Sequence, residues 1–384
     1  MRLEKILSMI PSNVLESLAL ESKVDHFSKK LQGEVVFKLL LHCLLSHKDN
    51  SLRTMESAYE SLIFRTINKK YHQGKIRYSS ISERLSVIEV SCFEKLYATC
   101  IDSYKQPFSK EQNNYIRFDS TIVALSCKLL KVGYILNGGD AQNYRQVKFT
   151  VGYGSIPELI SFYIEQTNSS EEVSLKQTIL EQSQQEKERI KIFDRGISSR
   201  TTYDNFTDNG IQFISRINPK FKHESVNTTE GASLLPIETE TLTIIKDHWC
   251  QLYGDKGKKA RRLVRCVETI SKETGETIIF TTNNTDLTAE EITTLYKRRW
   301  DIEVFFRFLK QELNLSHLVS LNKNGIEVMV YMTMIASMLL LIYKKANNLG
   351  YKTAKRRIAM ELRDMITVIL IIFAGGDPDK VFKT

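Results

Sequence analysis

The sequence predicts an α/β protein in which a central mixed sheet is covered by helices, interrupted by a β-rich insertion and preceded by a separate helical domain. Three observations lead there. Residues 1–108 carry apolar clusters at helical spacing, such as Val35 to Leu45 and Leu85 to Leu96, with almost no strand-like alternation. From Tyr115 the texture changes to short β-rich runs punctuated by Gly and Pro turns. Beyond them, helix-like stretches alternate with single strands, the pattern of a helix-covered sheet.

The first β-rich runs are Tyr115 to Leu125, Gln146 to Tyr153 and Leu159 to Ile164, with turns at Gly138-Gly139-Asp140 and Gly154-Ser155-Ile156-Pro157. Such consecutive strands form a meander. A polar helical stretch, Glu171 to Glu188, leads into a fourth strand at Ile190 to Phe193, closed by Asp194-Arg195-Gly196. Ser198 to Asn209 reads as a helix and Ile211 to Ile217 as the next strand. Three strands, helix, strand, helix, strand is the order of a ribonuclease-H-like fold, so residues 109–217 are expected to form the first part of one. Residues 218–282 hold β-branched runs (Thr241 to Ile245, Leu263 to Ile270, Thr277 to Thr282) around a turn at Lys272 to Glu276, and read as the insertion.

The fold still needs a closing helix, and Asp286 to Leu313 supplies one. Thr288 and Glu291 make a capping box, and Leu287 can staple onto Ile292. On one continuous helix at about 100° per residue, Tyr296, Arg299, Glu303 and Lys310 fall within roughly 60° of one another, beside an apolar arc of Leu295, Ile302, Phe305, Phe306, Leu309 and Leu313. By itself the polar row reads as a solvated stripe. Two further helices, Gly325 to Asn347 and Thr353 to Ile372, are expected to pack against the sheet or cap it. Residues 283–350 therefore complete the sheet domain and 351–384 form a helical tail.

Lys and Arg outnumber Asp and Glu by 54 to 45 in 384 residues, which suits a polyanionic partner, nucleic acid first. The excess is clustered. Arg65, Lys69, Lys70, Lys75, Arg77 and Arg84, with His72, Tyr71 and Tyr78, face a single acid, Glu83, while Lys256, Lys258, Lys259, Arg261, Arg262 and Arg265 form a second group. Basic loops and solvated hairpin tips give the same pattern. Lys352, Lys355, Arg356 and Arg357 read as a charged helix face. The six cysteines, Cys43, Cys92, Cys100, Cys127, Cys250 and Cys266, show no zinc-ligand spacing and read as reduced thiols of a cytoplasmic protein. Val328 to Tyr343 and Met365 to Ala374 are shorter than the roughly 20 residues that cross a bilayer, so no membrane span is expected.

Three carboxylates stand out by position: Asp119 inside the first strand, Asp194 at the end of the fourth, and Glu303 on the closing helix. The first and fourth strands are expected to be neighbours, with the helix beside them. Convergent carboxylates repel one another unless cations sit between them, so such a set suits hard divalent ions. Two ions about 3.5 to 4 Å apart activate a water or hydroxyl and stabilise the leaving oxygen of a phosphodiester.

Asp119-Ser120-Thr121, Asp194-Arg195-Gly196 and, above all, Tyr296-x-x-Arg299-Trp300-x-Ile302-Glu303 followed by Lys310 resemble the DDE transposases of bacterial insertion sequences, specifically insertion-sequence family four with its Tyr-Arg-Glu-Lys signature. The resemblance runs over roughly Ile116 to Tyr343. It implies a metal-dependent DNA strand transferase performing cut-and-paste transposition, acting on double-stranded DNA with terminal inverted repeats and on target DNA, as a homodimer on DNA. It further implies that Asp119, Asp194 and Glu303 hold two Mg²⁺ ions, with Mn²⁺ a possible substitute. Tyr296, Arg299 and Lys310 would contact DNA phosphates, a cationic row beside a metal site being suited to orienting a phosphodiester. Trp249, in the insertion, would be the residue that steadies a flipped base, a core aromatic being the alternative; Trp300 is expected to pack against the sheet. Two alternatives stay open: a metal-dependent nuclease of the same fold, and an inactive transposase-derived DNA-binding protein. No phosphate-loop, zinc-protease or nucleophile-elbow motif points to other chemistry.

Overall fold

A computed structural model of the chain describes residues 2–8, 12–26, 28–47, 50–68, 74–105, 114–125, 133–135, 145–163, 170–184, 187–197, 199–228, 235–254, 258–316, 318, 320 and 322–382. The elements run α1 (Leu3–Leu7), α2 (Ser12–Ser22), α3 (Gly33–Ser46), α4 (Leu52–Glu60), α5 (Leu62–Ile67), α6 (Tyr78–Val87), α7 (Val90–Lys105), then β1 (Tyr115–Leu125), β2 (Tyr134–Ile135), β3 (Arg145–Tyr153) and β4 (Pro157–Tyr163). There follow α8 (Glu171–Ser183), β5 (Ile190–Phe193), α9 (Arg200–Asp208), β6 (Phe213–Ile217), β7 (His223–Thr228), β8 (Ile237–Glu238), β9 (Leu242–Leu252), β10 (Val264–Ser271) and β11 (Thr277–Thr282). The chain closes with α10 (Ala289–Lys297), α11 (Trp300–Glu312), α12 (Lys323–Ala346), α13 (Tyr351–Phe373) and α14 (Pro378–Val381). It divides into two compact units, residues 1–110, 123–147 and 306–384 in one, and 111–122 and 148–305 in the other.

The helical unit is organised by α12, whose residues from Ile326 to Tyr343 are buried with the single exception of Glu327. A helix apolar all round must be covered all round. Its partners are α1, α3, α6, α7 and α13, so it packs among helices from both ends of the chain; the expectation from the sequence was that it packs against the sheet or caps it. It is also longer than its apolar run: Asn322 caps it by accepting from the Gly325 amide at 2.8 Å. Among the described residues it is the one helix long and apolar enough to cross a membrane, and 94% of that window is buried in the protein. Cys43, Cys92, Cys100, Cys250 and Cys266 are buried and unbridged.

The second unit is built on a mixed sheet whose order is β2, β3, β1, β5, β6, β11, β10, β9, β7, with β4 also on β3 and β8 on β9. The expected neighbours β1 and β5 pair in parallel, Phe118 opposite Phe193. β5 also pairs in parallel with β6, while β11 joins β6 antiparallel. The insertion is therefore a lateral extension of the central sheet. Period-two alternation gives each face its own core. Ile116, Phe118 and Phe193 pack with Leu175 and Ile179 of α8 and Phe206 of α9, whereas Ile190, Ile192, Ile214 and Phe280 pack with Ile292 and Tyr296 of α10. Central strands buried on both faces read as near-continuous apolar runs, which is why IKIF was legible as a strand.

Candidate active site

The residues that start the closing helix behave as their types dictate. The Thr288 hydroxyl accepts from the Glu291 amide at 3.2 Å and the Glu291 carboxylate accepts from the Thr288 amide at 2.8 Å, completing the capping box. Leu287 packs on the cluster that contains Ile292. The expected single helix is interrupted, however: α10 ends at Lys297 and α11 begins at Trp300. Across the join the amides of Arg298, Arg299, Asp301 and Ile302 bond to carbonyls three residues back, a tightening that breaks the 3.6-residue phase. The row expected on one straight helix is therefore carried by two helices: Arg299 lies 5.7 Å from the Tyr296 ring centroid and 2.6 Å from Glu303, while Lys310 belongs to the other unit. Trp300, expected against the sheet, opens α11 with 53% of its surface exposed.

Asp119 follows Phe118 on β1 and Asp194 follows Phe193 on β5, so the two aspartates are register neighbours past a paired position. Asp119 accepts from the Ser120 amide at 2.8 Å, and the Ser120 hydroxyl meets that of Thr150 on β3 at 2.7 Å. Asp194 accepts from the Tyr296 hydroxyl at 2.9 Å and lies 3.6 Å from the guanidinium of Arg216 on β6. Glu303, on the first turn of α11, pairs with Arg299 at 2.6 Å.

Arg299 is the common counter-charge. It is 9% exposed, and its charge acts on Asp119, Asp194, Glu171 and Glu303. Burial works against the charged guanidinium, yet Tyr296, Asp194 and Glu303 hold its pKa above the ordinary value. Burial lifts the Asp119 carboxyl to about 7, against the Ser120 amide and Arg299, with Glu171 and Glu303 adding to the rise. At Asp194 burial acts in the same sense but is outweighed by the Arg195 amide, Arg299, Tyr296 and Arg216, so its pKa is lowered.

Glu171, at the start of α8, was not singled out in the sequence. Desolvation raises its pKa, Lys148 opposes that and Asp194 adds to it. Any side chain at Gly196 would meet the Glu171 carboxyl carbon 2.8 Å from its Cβ position, so the glycine after Asp194-Arg195 leaves room for this acid. The signal available beforehand was only that spacing. Arg216 was missed for the same reason: an arginine inside a strand carries no motif.

These acids are hard oxygen donors, the type a divalent cation takes. Among the described residues no three His, Cys, Asp or Glu side chains are grouped as ligands of one ion; Glu303 is held by Arg299 and Asp194 by Tyr296 and Arg216.

Of the other candidates, Tyr296 lies at the site, and Lys310 and Trp249 lie elsewhere in the fold. Tyr296 is buried, its hydroxyl spent on Asp194 rather than presented outward. Lys310 is exposed and belongs to the helical unit. Trp249 is half-buried on β9, between Arg265 of β10 and Asn227 of β7. Of the second basic group, Arg265 is buried on Asp247, while Arg261 and Arg262 pair with Asp208; Lys256 lies outside the described residues. In the first group Arg84 is spent on the carbonyls of Val24 and Leu31, and Lys69, Lys70, Tyr71 and His72 lie outside the described residues. Lys355 is buried, its ammonium bonded to the carbonyl of His47.

The sequence profile of the transposase DDE domain family matches residues 132–339, more than half of the chain. The match includes Asp194 and Glu303 and begins after Asp119. A protein of Sinorhizobium fredii named as transposase y4zB is 28% identical over 158 residues, 41% of this chain and 43% of its own length. One of Geobacillus stearothermophilus, named as a transposase for insertion sequence element IS5377, is 22% identical over 275 residues, 70% of this chain and 68% of its own. One of Synechocystis, named as a transposase for insertion sequence element IS4SA, is 41% identical over 51 residues, 13% of this chain and 15% of its own. The chain thus spans less than half of the first of these relatives.

Proposed function

The chain belongs to the transposase DDE domain family, and from that premise we propose that it is a metal-dependent DNA strand transferase acting on the ends of an insertion sequence of family four. Four acids around one arginine carry the reading: Asp119, Asp194, Glu303 and Glu171 all feel the charge of Arg299. The order β3, β1, β5, β6, with β1, β5 and β6 parallel, supports a ribonuclease-H-like domain. Residues 1–108 would serve as a DNA-binding region.

DDE transposase domains use divalent metal ions. In this reading Asp119, Asp194 and Glu303 hold two Mg²⁺ ions, or Mn²⁺ in their place, which supply Lewis-acid stabilisation of the phosphodiester oxygens. Arg299 gives up Glu303 for a DNA phosphate, its planar fork suiting either anion. Lys310 adds a phosphate contact, and Trp249 a stacking face for an unpaired base. Tyr296 holds Asp194 ionised and oriented by its hydrogen bond. The partners are double-stranded DNA carrying terminal inverted repeats, target DNA and a second copy of this chain.

The test incubates purified protein and Mg²⁺ with labelled duplexes carrying the inverted repeats that flank the reading frame, with wild type beside Glu303→Ala. Nicking at the 3′ ends followed by joining to a second duplex, both lost in the variant, is the expected result. Cleavage without joining would identify a nuclease, and tight binding without cleavage an inactive derivative.

A further inference from the structure

We propose that Arg117 is a positioning residue which, through Asp301, fixes the start of α11 and with it the side chain of Glu303 relative to the strand that carries Asp119. The proposal rests on the reading of Glu303 as a metal ligand.

The need for such a brace follows from the break in the closing helix. The capping box and apolar face of α10 set the direction of α10, but the turn at Arg298 and Arg299 uncouples that direction from α11. Glu303 stands on the first turn past the break, so whatever anchors that turn decides where its carboxylate lies.

Arg117 is built as an anchor. It is 3% exposed, donates from Nε to the Tyr153 carbonyl at 3.1 Å and from Nη2 to the Gly154 carbonyl, and lies 4.8 Å from the Tyr153 ring centroid and 5.3 Å from that of Tyr115. These contacts fix the guanidinium plane before the last bond is made. That bond runs from Nη1 to Asp301 Oδ2 at 2.6 Å. Both ends adjoin the site: Arg117 lies two residues before Asp119 on the same face of β1, and Asp301 shares the first turn of α11 with Glu303, so fixing one sets the position of the other. The Tyr153 ring, stacked on Phe305 at 4.8 Å and 29°, presses the same end of β3 against α11. An ion pair with one end exposed is a weak source of stability compared with apolar packing, and what it offers instead is the selection of one geometry. Here the selected geometry joins the Asp119 strand to the Glu303 helix.

The experiment uses the full chain with Asp301→Ala, Asp301→Asn and Asp301→Glu. The Asp301 side chain is 46% exposed, so truncating it leaves no cavity. Measured are Mn²⁺ affinity by titration calorimetry, the Mn²⁺ concentration for half-maximal cleavage of the labelled duplex, and the melting temperature in EDTA. Asp301→Ala is expected to weaken Mn²⁺ binding and raise the half-maximal concentration by about tenfold, the usual cost of losing an outer-shell partner, with the EDTA melting temperature nearly unchanged. Asp301→Asn gives a smaller shift the same way, and Asp301→Glu restores most of the affinity. A purely structural pair would move the melting temperature and leave the metal midpoint alone, which overturns the proposal. Wild-type protein that neither binds Mn²⁺ nor cleaves would overturn the reading of Glu303, and this proposal with it; wild-type activity with an unaltered Asp301→Ala midpoint would overturn this proposal alone.

Discussion

Arg299 and Glu303 are 2.6 Å apart across the break in the closing helix, and the same guanidinium acts on Asp119, Asp194 and Glu171. Arg299 is therefore a counter-charge shared by these acids.

Replacing that cation should unbalance the site in a measurable way. Arg299→Gln leaves Glu303 and its neighbours without their counter-charge, a loss on the order of 1–3 kcal/mol for a partly exposed pair. The melting temperature in EDTA is expected to fall, and saturating Mn²⁺ to raise it more in the variant than in wild type, because bound metal then supplies the missing charge. Differential scanning fluorimetry with and without Mn²⁺ measures both. Equal metal-induced shifts in the two proteins would show that Arg299 is not the counter-ion.

Asp119 makes stability depend on pH in a stated direction. Its carboxyl titrates at about 7 in the fold against an ordinary 3.8. Between those values the folded chain holds a proton that the unfolded chain has released, so the contribution is complete below about pH 4 and is lost as the pH rises through 7. Asp119→Asn removes that penalty. In EDTA at pH 8 the variant should melt several degrees above wild type, reflecting on the order of 2–4 kcal/mol, and at pH 4 the two should nearly coincide. A constant offset across that range would contradict a raised Asp119.

Asp194 responds with the opposite sign, because its pKa is lowered despite burial. Tyr296→Phe deletes a hydroxyl that donates to it at 2.9 Å. The variant should lose about 1 kcal/mol at neutral pH, and the loss should shrink as the pH falls through the carboxylate range, since protonated Asp194 gains less from the donor. Carbon-detected NMR titration of the aspartate carboxyls would show Asp194 moving up in the variant; an unmoved resonance would exclude the hydrogen bond as a cause.

Much of this was legible because the signals were local. The strands around Asp119 and Asp194 were bounded by turn residues, and the capping box at Thr288 and Glu291 marked the start of α10 within one residue. The break at Arg298 and Arg299 was not legible: both residues favour helix, and the long-range bond beside it, Asp301 to Arg117 of β1, leaves no local pattern. The partners of α12 had no local signal either. An all-apolar helix announces that it is buried, but not against what. Glu171 and Arg117 carried no motif, and their places beside Gly196 and Asp301 come from long-range packing.

The basic group of the sheet extension divides into two roles that mutation can separate. Arg265 and Asp247 are buried, 6% and 4% exposed, with bonds of 2.8 and 2.7 Å to the two carboxylate oxygens, and Arg265 also donates to the Leu287 carbonyl just ahead of the α10 cap. Arg265→Ala strands the Asp247 charge inside the sheet and should cost about 3–5 kcal/mol, seen as a large drop in melting temperature. Arg261 and Arg262 are exposed partners of Asp208, so their pairs contribute little to stability. Alanine at both should leave melting almost unchanged while weakening duplex binding and lowering the dependence of affinity on salt concentration by about one unit per lost phosphate contact. An unchanged salt dependence would place this edge of the sheet away from DNA, leaving Arg265 as a purely structural member of the group.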